Sequence, residues 1–484
     1  LSWVAALAVA WAGFGATWEV LLFSSLKGAS LTLYVAAIIW TSTFMFKMVF
    51  ETGKFGLVSE YMGTLASDRL VLGLLIAWCC SGVIQGIAGY GVPVAVCAPL
   101  MIAAGFEPLT GIAAVLVGHS WSVTFGSMGS SFHALAMSTG YAPDVLGNAV
   151  GLGFILPTVV TGFCVGHIVG GVQGLKGNWL RIAAVGGSMG LVQWTAARSG
   201  LGQVAALLAS LAGVVAIALI GRRRPDASRE VSSHSDESRR KRSDLVRVLS
   251  PYATLLVVAT IGQIAKRYIK SPKFGFDFPA TVTSQGFEVA ASKAYAAIDL
   301  FTHPAPLILM ATLICLPILL RSGLLDRPRL AKAFKGTVSQ ALPTSLGILT
   351  MVMMALVMMD SGMTAEMARG VADVTGWLFP LFSPFIGVLG CFMTGSNTNS
   401  NVLFSAFQIQ TADLLSISPL VVATAQTIGG SLGSAIAPAK IFLGASTAGL
   451  NGRESEVLRR AVGYCLLIVS LVGVQALVFS MVGG

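Results

Sequence analysis

Long apolar runs, separated by short polar connections, recur along almost the whole sequence. Many are close to the roughly 20 residues that an α-helix needs to cross a bilayer. Lipid offers no partner for backbone polar groups, so only helices and closed barrels span membranes, and runs of this length favour helices. We predict an all-α polytopic membrane protein with about 12 to 14 membrane elements. They lie near 1–14, 29–49, 70–86, 92–105, 108–126, 146–170, 181–197, 202–221, 250–265, 303–320, 338–360, 377–394, 402–430 and 461–482.

Composition agrees with a membrane protein and argues against an enzyme. Charged residues make up 11% of the chain, against about 25% in soluble proteins. The seven cysteines lie in apolar runs without metal-ligand spacing, which predicts inert thiols and no cofactor. The sequence contains no HExxH, GxSxG or Walker motif. The first run has neither an initiator Met nor a signal-peptide pattern, so we expect the numbered chain to begin inside a membrane helix.

The net charge of +10 comes from basic residues in the connections, which is not the pattern of a nucleic-acid-binding face. One long hydrophilic stretch, residues 222–248, separates a first transmembrane half, 1–221, from a second, 249–484. Cytoplasmic loops are enriched in Lys and Arg, so this linker should be cytoplasmic. The loop 266–304 should then lie outside.

Two polar interruptions, Gln85–Pro93 and Thr394–Asn401, break apolar runs at corresponding places in the two halves. Each is followed by a Gly-Ser element, Gly126–Ser130 in the first half and Gly430–Ser434 in the second. Broken helices at membrane depth must face protein or a wet cavity, and paired breaks indicate the binding site of a transporter. We predict two pseudo-symmetric, inverted halves whose broken or re-entrant helices meet near the midplane.

Six segments are distinctive: GIAGYGVPVA (86–95), GFEPL (105–109), FGSMGS (125–130), MTGSNTNSNVLFSAFQ (393–408), GGSLGSAIAPAKI (429–441) and STAGLNGRESEVLRR (446–460). In these segments and in their order the chain resembles the bacterial lactate permease family. The resemblance implies a plasma (inner) membrane symporter that takes up L-lactate, D-lactate or glycolate with a cation, H⁺ in this family. A looser analogy to ion transporters with paired re-entrant hairpins implies an elevator-like motion and a homodimer.

The chain departs from the family at two positions. Gln85 and Asn397 stand where the family carries carboxylates, and amides cannot titrate. The triplet Ser396-Asn397-Thr398 also resembles sodium-coupled dicarboxylate carriers, so Na⁺ bound at these three residues is the alternative coupling ion. An anion channel is a further alternative, because polar breaks also line pores.

We expect substrate to bind at the two breaks and just beyond the second Gly-Ser element, where a lysine interrupts an apolar stretch. The predicted residues are Gln85, Gly86, Gly89, Tyr90, Gly91, Ser396, Asn397, Thr398, Asn399, Asn401 and Lys440.

Ionisable residues inside a membrane segment are functional candidates, each with a structural alternative. Lys440 could pair with a substrate carboxylate or extend to the membrane interface. Asp360 and His119 are the candidates for proton coupling. Asp360 could instead cap the helix that begins at Ser361, and His119 could be hydrogen-bonded inside the bundle. His133 resembles His119 with less support, and Trp121 or Tyr90 could stack on substrate or serve packing.

Overall fold

The computed structural model describes residues 2–54, 57, 66, 68–89, 91–220, 236–265 and 268–482. For residues 236–240 it describes the backbone only. It is 81% helical, which confirms the predicted all-α membrane class. The helices are α1 Ser2–Phe14, α2 Trp18–Phe50, α3 Arg69–Ile87, α4 Val92–Ala103, α5 Pro108–Gly118, α6 Gly126–Thr139, α7 Pro143–Gly153, α8 Ile155–Arg198, α9 Gly202–Ile220, α10 Asp236–Ala265, α11 Pro304–Arg321, α12 Arg327–Asp360, α13 Met363–Thr375, α14 Phe379–Thr394, α15 Asn397–Leu414, α16 Pro419–Gly433, α17 Pro438–Thr447 and α18 Glu454–Val482.

A small β-region, which the sequence analysis did not predict, lies between α10 and α11. β1 (Lys273–Phe278) pairs antiparallel with β4 (Ser292–Asp299), and β2 (Thr281–Val282) pairs antiparallel with β3 (Glu288–Val289).

Over the described ranges, ten helices are long and apolar enough to cross a membrane, or eleven if the bent pair α5 and α6 is one span. The 12 to 14 predicted membrane elements also include short and broken helices, so this count of long helices does not contradict them. The runs near 1–14 and 92–105 form helices of 13 and 12 residues, too short to cross. The run near 402–430 contains the end of α15 and the start of α16.

The predicted spans near 146–170 and 181–197 are joined in the structure as two legs of α8. The positive φ of Gly171, 61°, breaks the helix between them. The legs then pack against each other, because a Cβ at Gly186 would lie 2.8 Å from the Cα of Val159.

Ion pairs gather many helix termini at one end of the bundle, which we call the linker end. Lys332 pairs with Glu51 at 2.9 Å and Arg460 pairs with Glu107 at 3.3 Å. The opposite end, which we call the β end, carries the β-region, where the backbone N–H of Ser284 donates to the carbonyl of Gly15 at 2.8 Å. α10 begins at Asp236, within the predicted linker, and residues 221–235 lie outside the described residues.

The same order of elements occurs in both halves. α3 and α4 form hairpin 1, and α5 and α6 form broken helix 1. α14 and α15 form hairpin 2, and α16 and α17 form broken helix 2. Hairpin 1 has its open end at the linker end, where Arg69 donates to the carbonyl of Gly105 at 2.8 Å. Hairpin 2 follows α13, and the N-cap of α13, Gly362, lies against Phe287 of the β-region. This order agrees with inverted halves, which stay a prediction.

Broken helix 1 lies in the core of the bundle. The largest fully buried side chains include four that belong to it or pack on it, Trp78, Trp121, Phe125 and Phe132. Its polar groups are therefore held inside the protein, away from lipid.

Candidate functional site

The two broken helices are interrupted in different ways. In broken helix 1, Ser127, Met128 and Gly129 are all left-handed, with φ of 48°, 56° and 73°. L-residues visit this region rarely, so the right-handed helix resumes only after the Gly-Ser element. In broken helix 2 the Gly-Ser element ends α16, and the break follows it at residues 434–437. The two matching motifs therefore have different local roles.

In the second motif the glycines serve close packing. A Cβ at Gly433 would lie 2.8 Å from the Cα of Val388 on α14. Small residues allow such backbone approach between membrane helices. The hydroxyl of Ser431 in this motif, in contrast, donates to the carbonyl of Ser120.

Hairpin 2 and broken helix 1 are joined by buried hydrogen bonds. Asn397 Nδ2 donates to Thr124 Oγ1 at 3.0 Å, and Asn401 Nδ2 donates to the carbonyl of Ser131 at 3.0 Å. The hydroxyls of Ser131 and Thr398 are 2.8 Å apart. All five residues are at least 94% buried. The second polar break thus contacts the first half directly.

Broken helix 2 extends the same network. Asn401 Nδ2 also donates to Thr427 Oγ1 at 2.9 Å, and Thr124 Oγ1 donates to the Thr427 carbonyl at 3.1 Å. Ser431 Oγ donates to the Ser120 carbonyl at 2.6 Å. We call this set the polar cluster: Ser120, Thr124, Ser131, Asn397, Thr398, Asn401, Thr427 and Ser431.

The sequence analysis missed the five members of the polar cluster that lie outside hairpin 2. Ser120, Thr124 and Ser131 lie in HSWSVTFGSMGSS, and Thr427 and Ser431 lie in TAQTIGGS. The signal available was a run of hydroxyl residues inside an apolar segment, which costs free energy unless partners are present.

Several acceptor oxygens near the breaks are buried and have no hydrogen-bond partner among the described residues. They are Asn397 Oδ1, Asn399 Oδ1, Asn401 Oδ1, Gln85 Oε1 and Ser434 Oγ. Amide and hydroxyl oxygens accept hydrogen bonds from a hydroxyl and also coordinate alkali cations. The site can therefore receive a donor group or a cation.

The predicted Na⁺ triplet is already partly engaged. Ser396 Oγ accepts from the backbone N–H of Asn399 as the N-cap of α15, and the hydroxyl of Thr398 pairs with Ser131. Of the three side chains, Asn397 keeps a buried oxygen without a partner in the described structure.

At hairpin 1, Gln85 is buried and faces the Gly-Ser element of broken helix 1. A Cβ at Gly126 would lie 2.5 Å from Gln85 Nε2, and one at Gly89 would lie 3.2 Å from the same atom. Gly86 faces α9, because a Cβ added at Gly86 would lie 2.8 Å from the backbone nitrogen of Leu207. This glycine therefore allows close helix packing. Tyr90 lies outside the described residues.

Both hairpin tips lie against α17. A Cβ at Gly91 would be 2.5 Å from Leu443 Cδ2, and one at Gly395 would be 3.7 Å from Ala439 Cβ. Leu443 and Ala439 are four residues apart on a helix, about 6 Å along its axis and on one face. The structure therefore brings both predicted breaks to one turn of α17.

Lys440 lies on that same turn and is 7% exposed. Its Nζ donates to Nε2 of His119 across 3.3 Å, and Nδ1 of His119 lies 2.8 Å from the carbonyl of Val115. A carbonyl only accepts, so Nδ1 carries the proton and Nε2 of the neutral ring accepts from the lysine. The side chain of Lys440 therefore turns into the bundle rather than out to an interface.

Asp360 lies apart from these residues, at the end of α12. Ser24 Oγ donates to its Oδ2 at 2.8 Å, and Lys27 Nζ pairs with the same oxygen at 3.3 Å. The capping alternative was wrong, because the N-cap of α13 is Gly362 and that cap has no side-chain hydrogen bond. Lys27, a partner that the sequence analysis did not name, makes Asp360 half of a buried ion pair between α2 and α12.

The two remaining candidates also lie outside the polar cluster. Trp121 is fully buried, and its ring packs against Gly82 so closely that a Cβ at Gly82 would lie 2.9 Å from the ring. This contact indicates a packing role. His133 lines a cavity of about 720 Å³ at the β end, together with Tyr34 and His303.

Comparison with known proteins agrees with this architecture. The family model described as L-lactate permease matches residues 1–483. The L-lactate permease of Salmonella typhimurium is 28% identical over 464 residues, which cover 91% of this chain and 83% of that protein. The glycolate permease GlcA of Escherichia coli is 27% identical over 483 residues, covering 92% and 85%.

The fold also resembles a solved transporter. The crystal structure of the YdaH transporter of Alcanivorax borkumensis matches 96% of this chain and 88% of its own, with a TM-score of 0.51 and 15% identity. Together with the apolar helices, these findings describe a multi-pass transporter of the bacterial inner membrane and not an enzyme. The chain belongs to the L-lactate permease family.

Proposed function

We propose that this protein takes up small 2-hydroxy monocarboxylates, namely L-lactate with D-lactate and glycolate as related substrates, by symport with a proton. The observation that carries the proposal is one buried lysine, Lys440, on the helix turn that both hairpin tips contact. The names of the related permeases support the substrate class.

The groups at the breaks match the two functional groups of lactate. A carboxylate needs donors and a positive charge, and the ammonium of Lys440 supplies both. A hydroxyl can donate to an amide oxygen, and those of Asn397 and Asn401 are buried without a described partner. Amides also donate through nitrogen, so the same residues can serve either group.

Charge balance favours a monocarboxylate over a dicarboxylate. A bound monoanion cancels the charge of one ammonium, so the loaded site is neutral and crosses a low-dielectric region at a smaller cost. A dianion would leave one negative charge without a partner at a site whose described interior has one lysine.

The coupling ion is part of the proposal, and the family resemblance favours H⁺. The predicted coupling residues are placed differently: His119 contacts Lys440 at 3.3 Å, whereas Asp360 is paired with Lys27. A Na⁺-coupled organic-anion symporter is the second candidate, because the amide oxygens near Asn397 are suitable cation ligands.

Two further features stay proposals. The linker end carries most of the described Lys and Arg residues outside the membrane segments, which supports a cytoplasmic linker end. A homodimer and an elevator-like motion rest on the looser analogy alone.

The test is uptake of labelled L-lactate into proteoliposomes under an imposed pH gradient or an imposed Na⁺ gradient. We expect accumulation with the pH gradient, saturation with substrate, and counterflow of labelled lactate against unlabelled lactate. Accumulation that follows Na⁺ and ignores pH would support the sodium alternative. Flux that neither saturates nor shows counterflow would indicate a channel.

A further inference from the structure

Proton coupling in this chain needs a titratable group, and neither Gln85 nor Asn397 at the two breaks can titrate. In the described residues of the hairpins and broken helices, charged side chains are few. Arg69, Glu107 and Asp413 lie near the ends of these elements, and Lys440 lies at the breaks. The interior of the site therefore has one charged residue, and it is basic.

The partner of Lys440 is neutral. Nζ donates to His119 Nε2, whose ring proton is held on Nδ1 by the Val115 carbonyl. Within the described structure no carboxylate pairs with Nζ of Lys440, although nine other basic residues have acidic partners. A buried charge without a counter-ion is costly, and the cost disappears when a counter-ion binds or when the proton leaves.

Among the described residues, the elements around α17 supply no other acid at this depth. Two groups lie close to Lys440: His119 at the end of α5 and the thiol of Cys391 on hairpin 2. α4 contributes Cys97, and α18 contributes Tyr464 and Cys465. The charged residues of α18 lie in its first two turns and are exposed or partly exposed: Glu454, Glu456, Arg459 and Arg460.

We propose that Lys440 is itself the proton carrier of the symport, an inference that rests on the proposed function. The empty site holds a neutral amine, which still donates one N–H to His119. A proton and a carboxylate then bind together: the amine takes the proton at Nζ, and the ammonium pairs with the carboxylate. On the other side the pair separates, the anion and the proton leave, and the neutral amine returns.

This cycle moves one proton with each monocarboxylate and requires no intramembrane acid. Protonation and anion binding are linked, because each makes the other more favourable at the same atom. The amides of Gln85 and Asn397, which cannot titrate, are then compatible with proton coupling.

The experiment counts protons taken up per lactate bound. Purified protein in detergent receives lactate in weakly buffered solution with a pH indicator, and equilibrium dialysis with labelled lactate measures binding. We expect proton uptake per bound lactate to rise as the pH is raised from about 6 to about 9, because the fraction of empty protein with a neutral Lys440 grows with pH and each such amine takes up a proton when the carboxylate binds.

The decisive variant is Lys440→Arg, since a guanidinium stays protonated. It should bind lactate with no proton uptake, and in proteoliposomes it should retain lactate exchange but lose accumulation driven by a pH gradient. His119→Gln replaces the imidazole with an amide oxygen that still accepts a hydrogen bond but cannot titrate. The affinity of this variant for lactate should fall, whereas its proton uptake per bound lactate should match that of the wild type. The paired variant Lys27→Gln with Asp360→Asn should also retain proton uptake.

Lactate binding to the wild type without proton uptake would overturn the inference, as would proton uptake by Lys440→Arg. If Lys440→Arg fails to bind, the other two variants decide: loss of proton uptake in either assigns the proton to His119 or Asp360, and retention in both supports Lys440. Failure of the wild type to bind any 2-hydroxy monocarboxylate would instead refute the proposed function.

Discussion

Nζ of Lys440 donates a hydrogen bond to Nε2 of His119 across 3.3 Å, although the two residues are 321 positions apart in the sequence. This contact joins the second half of broken helix 2 to the break of broken helix 1. It lies on the turn of α17 that both hairpin tips contact.

Lys440→Gln should raise the apparent KM for lactate by roughly 10- to 100-fold, the loss expected for one charge-assisted hydrogen bond of about 1.5–3 kcal/mol. Initial uptake rates in proteoliposomes measure the effect, and the thermal midpoint in detergent checks folding. Lys335→Gln, at an exposed lysine of the linker end, is the matched control. Unchanged KM in a folded Lys440→Gln protein would show that the substrate does not contact this residue.

Asn397→Ala should abolish high-affinity uptake. The change removes the donor to Thr124 and leaves that buried hydroxyl without the partner it has at 3.0 Å, at a cost of about 1–3 kcal/mol. Thr411→Val on the same helix is the control, because its hydroxyl bonds only within α15, to the Phe407 carbonyl. Near-normal uptake by well-expressed Asn397→Ala protein would remove this residue from the proposed site.

Ser131 and Thr398 should be energetically coupled, because their hydroxyls are 2.8 Å apart and buried between the two halves. A double-mutant cycle with Ser131→Ala and Thr398→Val should give a coupling of about 0.5–1.5 kcal/mol in thermal stability. The control cycle pairs Thr398→Val with Thr139→Val, whose hydroxyl bonds within α6. Additive effects in the first cycle would contradict the contact.

Asp360→Asn should destabilise the protein by roughly 3–5 kcal/mol, because it leaves the buried ammonium of Lys27 without its counter-ion. The paired variant Lys27→Gln with Asp360→Asn should recover much of this loss, and thermal unfolding in detergent compares the two. Lactate uptake by the paired variant should still depend on pH. Loss of pH dependence with lactate exchange retained would return Asp360 to the role of coupling acid.

Acid should loosen the start of α11 at the β end. Burial lowers the pKa of His303 to about 4, against the smaller effects of Tyr34 and Asp299, and its Nδ1 accepts from the backbone N–H of Ala305 at 3.2 Å. Because the folded pKa lies below the unfolded value of about 6.5, this stabilisation is complete above pH 6.5 and is lost as the pH falls toward 4.

Hydrogen exchange of the first turn of α11 measures this effect. Exchange should accelerate as the pH falls through that window, after correction for the intrinsic rate. His303→Asn keeps a capping oxygen that does not titrate, so it should remove the dependence. The same acceleration in His303→Asn would assign the effect to another group.

The sequence by itself determined the membrane class, the positions of most spans and the two polar breaks. These follow from local properties, since about 20 apolar residues suffice to specify a spanning helix and polar groups within such a run require a special environment. The tips fall where the sequence places them, and the glycines at 91 and 395 adopt the left-handed φ of 82° and 71° that favours glycine.

Only the tertiary structure decided which polar groups meet. Asn397 pairs with Thr124 across 273 positions and Lys27 pairs with Asp360 across 333. Hydropathy reports whether a segment enters the membrane, and it does not report which face of a helix meets which neighbour. The partners of these buried groups depend on how the helices pack, so Lys440 could be recognised from the sequence as a charge in the membrane, but its contact with His119 could not.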